Sequence, residues 1–161
     1  MKPCRLIQQY PALRQYFLKD VAKRKNVSAS ALEIIKLLND TTMYSELLFV
    51  IESADAFESF NRLFQSSSPV IHILYSEIEV VFKKILSKIY KPAVLKEINY
   101  DNCFSKDFLL PANKIILGEK IRSSLDKISP SDKLHFYNCT KDHYLAAALY
   151  LKKIHVYLIV I

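Results

Sequence analysis

His135, Cys139 and His143 stand four residues apart, which places all three on one face of a helix, and imidazole and thiolate are the groups that zinc prefers. Structural zinc sites use four ligands, however, and the fourth would have to come from Cys103 or from water. An amphipathic helix surface with an incidental cysteine is the simpler reading, so no metal or cofactor is expected. Lys83, Lys84, Lys88 and Lys91 form the second constellation, a basic stripe whose chemistry would be neutralisation of phosphates on a nucleic acid. A solvated helix face accounts for the same lysines. His72, between Ile71 and Ile73, reads as a hydrogen-bonded histidine in a helix interface rather than a catalytic base. No G-x-S-x-G, H-E-x-x-H or C-x-x-C motif is present, and Glu77 and Glu79, two apart on a helix, face different ways. No catalytic residue is assigned.

The chain that must position these groups has 161 residues, enough for one ordinary domain, and 51% of them are apolar. It contains a single glycine, Gly118. Phosphate-cradling loops need several residues free of Cβ, so Rossmann and P-loop enzymes are excluded. Tight hairpin turns also favour glycine, which disfavours a sheet-rich fold. The formal charge of +7 divides into +6 over residues 1–25, −6 over 26–80 and +7 over 81–161. An acidic middle between two basic ends is not the continuous basic face that a committed reader of DNA presents. Cys4, Cys103 and Cys139, odd in number and widely spaced, read as reduced intracellular thiols. No signal-peptide core opens the sequence, and the eight residues after Lys153 are too few to span a bilayer.

Apolar periodicity predicts an all-α fold, an irregular bundle of about six helices around a long antiparallel pair. The first helix, over residues 5–25, turns Leu6, Tyr10, Leu13, Phe17 and Val21 inward, with Pro11 breaking or kinking it, or opening it as its first residue. Ser30 and Glu33 form a capping box for the second helix, which buries Leu32, Ile35 and Leu38. The third, over 42–65, presents Met43, Leu47, Val50, Ala54, Phe57 and Phe64 near a heptad grid. Three serines and Pro69, capped by Ser68, open the fourth, over 69–90, which buries Val70, Leu74, Ile78, Val81, Ile85 and Ile89 and stops before Pro92. The third and fourth form the antiparallel pair. Residues 92–112 are the best internal break within a single domain spanning 1–161. Two more helices follow, over 113–128 and, capped by Ser129 with Pro130 first, over 130–153. Gly118 falls inside the former, where glycine costs about 1 kcal/mol relative to alanine. The terminal HVYLIVI is β-prone and uncharged apart from His155, so it must pack, pair with another chain or aggregate.

Several stretches in order, QQYPALRQYF, LLNDTTMYSELLFV, FNRLFQSSSPVIHILYSEI, KIYKPAVL, LPANKIILGEKI and HYLAAALYLKK, resemble the region between the catalytic residues of hAT-type transposases and their domesticated descendants. The similarity covers most of positions 5–153, and order and spacing carry it. Tyr10 stands where the family usually has tryptophan, and residues 155–161 do not look like the charged helix expected there. The resemblance implies an all-helical domain inserted into a ribonuclease-H-like core, ahead of that core's catalytic glutamate. The core's two aspartates would lie upstream of Met1 and its glutamate beyond Ile161, so no acidic residue here inherits a catalytic role. The zinc-finger DNA reader and the dimerisation motif of the family are likewise not in these residues, and the chain looks like an excised piece. The implied function is a non-catalytic helical scaffold or interaction fragment, nuclear if it behaves like the family. The alternative is a nucleic-acid-binding module using the basic ends. Weak, non-specific DNA contact and self-association through the apolar C-terminus are the expected partners, with no membrane. The family's..LG.K. box further implies a close helix approach at Gly118, and a more stable Gly118→Ala variant would argue against it.

Overall fold

The computed structural model describes residues 3–65, 71–96 and 106–159. Ser68, Pro69, Val70 and Cys103 lie outside these residues, and so do the side chains of Cys4, Phe64, His72 and 155–159. The described chain is all-α. Its helices are α1 (Pro3–Gln15), running on into a π-helical turn (Tyr16–Val21), α2 (Ala29–Asn39), α3 (Met43–Phe64), α4 (Ile71–Ile89), α5 (Glu119–Leu125) and α6 (Pro130–Ile159), with three short 3-10 turns between α4 and α5. No strand occurs among the described residues, only one isolated antiparallel bridge between Tyr90 and Leu109. No helix among them is long and apolar enough to cross a membrane.

The core is organised by α4. Ile78, Val81, Phe82, Ile85, Leu86 and Ile89 recur at spacings of three and four and are all essentially closed to solvent, as is Tyr90 just beyond the helix. Each such side chain contributes about 1.5–3 kcal/mol by leaving water. The expected pairing with α3 exists, but α6 covers α4 more extensively. On α6 the inward positions are Phe136, Thr140, Tyr144, Ala148 and Leu151. Steps of four, four, four and three residues carry this seam slowly around α6, and along it small Thr140 and Ala148 alternate with the rings of Phe136 and Tyr144. Ser129 accepts a hydrogen bond from the amide of Asp132 at 3.2 Å and Pro130 takes the first position, as the sequence predicts. Beyond Lys153 the backbone of 155–159 continues as helix, so the β propensity of the terminal residues yields to helix propagation from α6.

The end of α4 is closed by the chain that follows it. Lys91 adopts the extended conformation that a residue before proline must take, with φ −62° and ψ 129°, and Pro92 starts a 3-10 turn. The orphan carbonyls of Lys88 and Ile89 accept the amides of Ile116 and Leu110, both at 2.8 Å, and the Lys91 amide donates to the Phe108 carbonyl at 3.1 Å. Lys141 of α6 holds this segment from outside, its Nζ on the Leu110 carbonyl at 2.9 Å.

Several expectations are corrected by local competition. Pro11 neither breaks nor opens the first helix. It sits inside α1, and the π turn begins five residues after it. Ser28, not Ser30, caps α2, accepting from the Ala31 amide at 3.3 Å, which places Ser30 and Glu33 inside the helix. Leu32 is exposed together with Ile34 and Leu37, and only Leu38 of α2 is fully buried. On α3, Val50 and Ala54 face solvent while Ser45, Leu48, Phe49, Ser53 and Ala56 are buried, so the packed stripe is rotated from the apolar one. The helix expected over 113–128 is a 3-10 turn, then an extended run in which Ile115 and Leu117 point inward and Ile116 outward, then the short α5.

Asp40 joins α2 to α3, accepting the Thr42 amide at 2.8 Å and its hydroxyl at 2.7 Å. Thr42 Oγ1 also lies 2.7 Å from Glu46, and its single hydrogen serves one carboxylate at a time. The backbone and hydroxyl bonds from Thr42 hold the Asp40 carboxyl below its ordinary value of 3.8. A depressed folded pKa adds stability that is present above that ordinary value and disappears as pH falls through the folded one. Urea midpoints of wild type and Asp40→Asn should therefore converge as pH is lowered from about 6 to about 2. Equal separation at all pH values would contradict the Asp40 junction.

Ile78→Ala and Ile85→Ala should each cost about 2–5 kcal/mol in urea unfolding, because a closed site cannot refill the volume. Half-buried Leu47→Ala should cost less, and exposed Leu32→Ala should stay within about 0.5 kcal/mol. Similar losses at Leu32 and Ile78 would refute α4 as the core.

Candidate functional site

The four lysines of the basic stripe meet different surroundings. Lys83 is exposed and pairs with Glu79 one turn earlier at 2.6 Å. Lys88 is three-quarters buried and pairs with Glu52 of α3 at 2.8 Å. Lys91 Nζ donates to the Asp107 carbonyl at 2.7 Å. Lys84 is exposed, and among the described residues no carboxylate pairs with it. Two of the four are therefore engaged by carboxylates and a third by a carbonyl.

Glu52 is the centre of the arrangement. Its Oε1 accepts from Lys88 Nζ and its Oε2 from the Gly118 amide, each at 2.8 Å, so one carboxylate ties α3 to α4 and to the start of α5. Two turns earlier on the same face, Ser45 and Ser124 hydroxyls meet at 2.7 Å. Ser124 also donates to the Ile121 carbonyl, which leaves Ser45 as donor in that pair. The two contacts hold α5 against a polar strip of α3.

Gly118 is not inside a helix. It is the N-cap residue of α5 in extended backbone, φ −61° and ψ 155°, a conformation any residue adopts. What it supplies is space, because a Cβ there would run into the Glu52 carboxylate. The close approach expected at Gly118 exists, and its other side is an acidic side chain rather than a helix backbone.

Beside this brace lies a cleft of about 270 Å³ between α3, α4 and α6, lined by Glu52, Asp55, Ala56, Lys84, Lys88 and Tyr144 among others. Its two carboxylates and two ammonium groups balance. Tyr144 is buried, with its ring edge-on to Phe49 at 5.4 Å, and its hydroxyl meets no partner among the described residues. Burial first, and the charge of Glu52 second, push its pKa up, so it stays a neutral phenol. Neither Tyr144 nor Glu52 was singled out from the sequence, and Glu52 carried no local signal because its role depends on a residue 66 positions away.

The residues of the zinc constellation do not converge. Cys139 is exposed with its sulfur 3.5 Å from His135 Nε2, while His143 lies edge-on to Phe49 at 5.2 Å. No group of three metal-ligating side chains occurs among the described residues. The face just past this one, Phe136, Thr140 and Tyr144, points into the core, which leaves the zinc trio along the solvent edge of α6. No family model matches the chain, and comparison with the curated proteins and with the solved structures finds no match.

Gly118→Ala should destabilise by about 1–3 kcal/mol, since displacing Glu52 breaks its bonds to Lys88 and to the residue 118 amide together. In a Glu52→Ala background the same change should be nearly silent, a coupling that a double-mutant cycle reads directly. Additive effects would show that Glu52 is not what requires glycine.

Proposed function

We propose that this chain is a non-catalytic helical scaffold and interaction module of the kind inserted in hAT-type transposases. The ordered motifs from QQYPALRQYF to HYLAAALYLKK support the relationship. The charged groups of the central brace support the scaffold reading, because Glu52 and Lys88 are spent on joining helices. The observation that carries the interaction reading is α2. This helix buries a single residue, Leu38, while Ile34 and Leu37, three apart on one face, are 38% and 52% exposed. An 11-residue helix with so little packing is marginal on its own, and the adjacent Ile34 and Leu37 are the apolar pair on it that a protein partner would cover.

Purified protein should self-associate with rising concentration in sedimentation experiments, a second copy standing in for that partner surface. Ile34→Glu combined with Leu37→Glu should remain monomeric. Monomeric wild type at every concentration would remove the interaction reading, and metal-dependent strand cleavage that follows the protein through repurification would remove the non-catalytic one.

A second reading, nucleic-acid binding through the basic ends, is favoured by the exposed Lys84 and Lys91. It requires a duplex-DNA gel shift that weakens steeply with salt and weakens further in Lys84→Glu. With so much of the stripe already engaged, the expected shift is confined to low salt.

A further inference from the structure

At the junction of α1, the π turn and α3 lies an open, shallow cleft of about 450 Å³. Its walls are Tyr10, Pro11, Leu18 and Tyr44, with the two tyrosine rings 5.1 Å apart and tilted by 45°. Its charged lining residues are Arg14 and Lys19, and Gln15 completes it. No carboxylate lines it. The nearest acid felt by Tyr10 is Asp40, which is already held by the amide and hydroxyl of Thr42.

We infer that this cleft binds a small organic anion with an apolar body, an aryl or alkyl carboxylate. Arg14 is pre-positioned for it. Its Nε donates to the Leu38 carbonyl at 3.2 Å, which fixes the guanidinium and leaves its two terminal nitrogens with no partner among the described residues. Lys19 reaches the same cleft from the π turn, a wider turn of the kind that often marks functional sites when it interrupts an α-helix. Guanidinium and ammonium together suit a carboxylate, and the tyrosine and leucine walls suit a ring or short chain. Tyr10 is buried and its pKa is raised mainly for that reason, so it adds no charge of its own. This inference does not depend on the interaction reading of α2.

Titration calorimetry with 2-naphthoate on the full chain tests it, with 2-naphthalenemethanol as the neutral counterpart. Naphthoate should saturate the protein with Kd below about 1 mM, and the alcohol should bind at least about tenfold more weakly. Lys19→Glu and Arg14→Gln should each weaken naphthoate about tenfold, and nuclear Overhauser contacts should join the naphthyl protons to the Tyr10 and Tyr44 rings. Lys19 is exposed, so its substitution leaves the fold intact even if Arg14→Gln disturbs the Leu38 contact. Absence of saturable binding, equal affinity for the alcohol, or naphthoate affinity unchanged by Lys19→Glu would overturn the assignment.

Discussion

The enclosure of α4 is the constraint on which the other elements depend. A helix buried along one face from Ile78 to Ile89 needs apolar cover over that face and cannot leave its last carbonyls unpaired against the core. Helices α3 and α6 supply the cover. The irregular chain after Pro92 supplies the amides, through Leu110 and Ile116. That second requirement explains why residues 108–117, which form no α-helix, lie against the end of α4. Its Ile115 and Leu117 fill space that a helix over the same residues could not reach while also capping α4.

Punctuation by proline and serine was legible wherever the local signal faced no rival. Ser129 with Pro130 opens α6, and Pro92 follows the end of α4, because each acts within a few residues of itself. The cap of α2 was read at Ser30 because Glu33 stands at capping-box spacing from it, whereas the hydroxyl that meets a free amide is that of Ser28. The face of α3 was misread for a different reason. Periodicity counts apolar residues, whereas α3 meets α5 through Ser45 and Glu52, so its true contact stripe is partly polar and its apolar stripe partly wet. Gly118 was read as a helix residue where two helices come close, whereas it caps α5 against the side chain of Glu52, and nothing local to IILGEK points to that residue.

The candidate sites divide along the same line. The basic stripe of α4 was visible as a spacing, but the acids that engage it sit one turn away in one case and on another helix in the other. The zinc trio shared a face as expected, and that face proved to be the rim of the seam rather than its centre. The apolar cleft near Arg14 escaped notice altogether. Tyr10, Arg14 and Leu18, and beside them Pro11, Gln15 and Lys19, follow the four-residue spacing of a helix, but Tyr44, which closes the other wall, comes from α3 and no local pattern points to it.

The thin attachment of α2 sets a hierarchy of local stability. Its chief packing partner is the π turn, with Leu38 and the Arg14 to Leu38 contact as fasteners. A unit held so lightly opens without disturbing α4, so its amides should exchange with solvent hydrogen at a free energy well below that of global unfolding. The fold thus behaves as a slow-exchanging block around α4 and α6, to which a fast-exchanging helix is hinged.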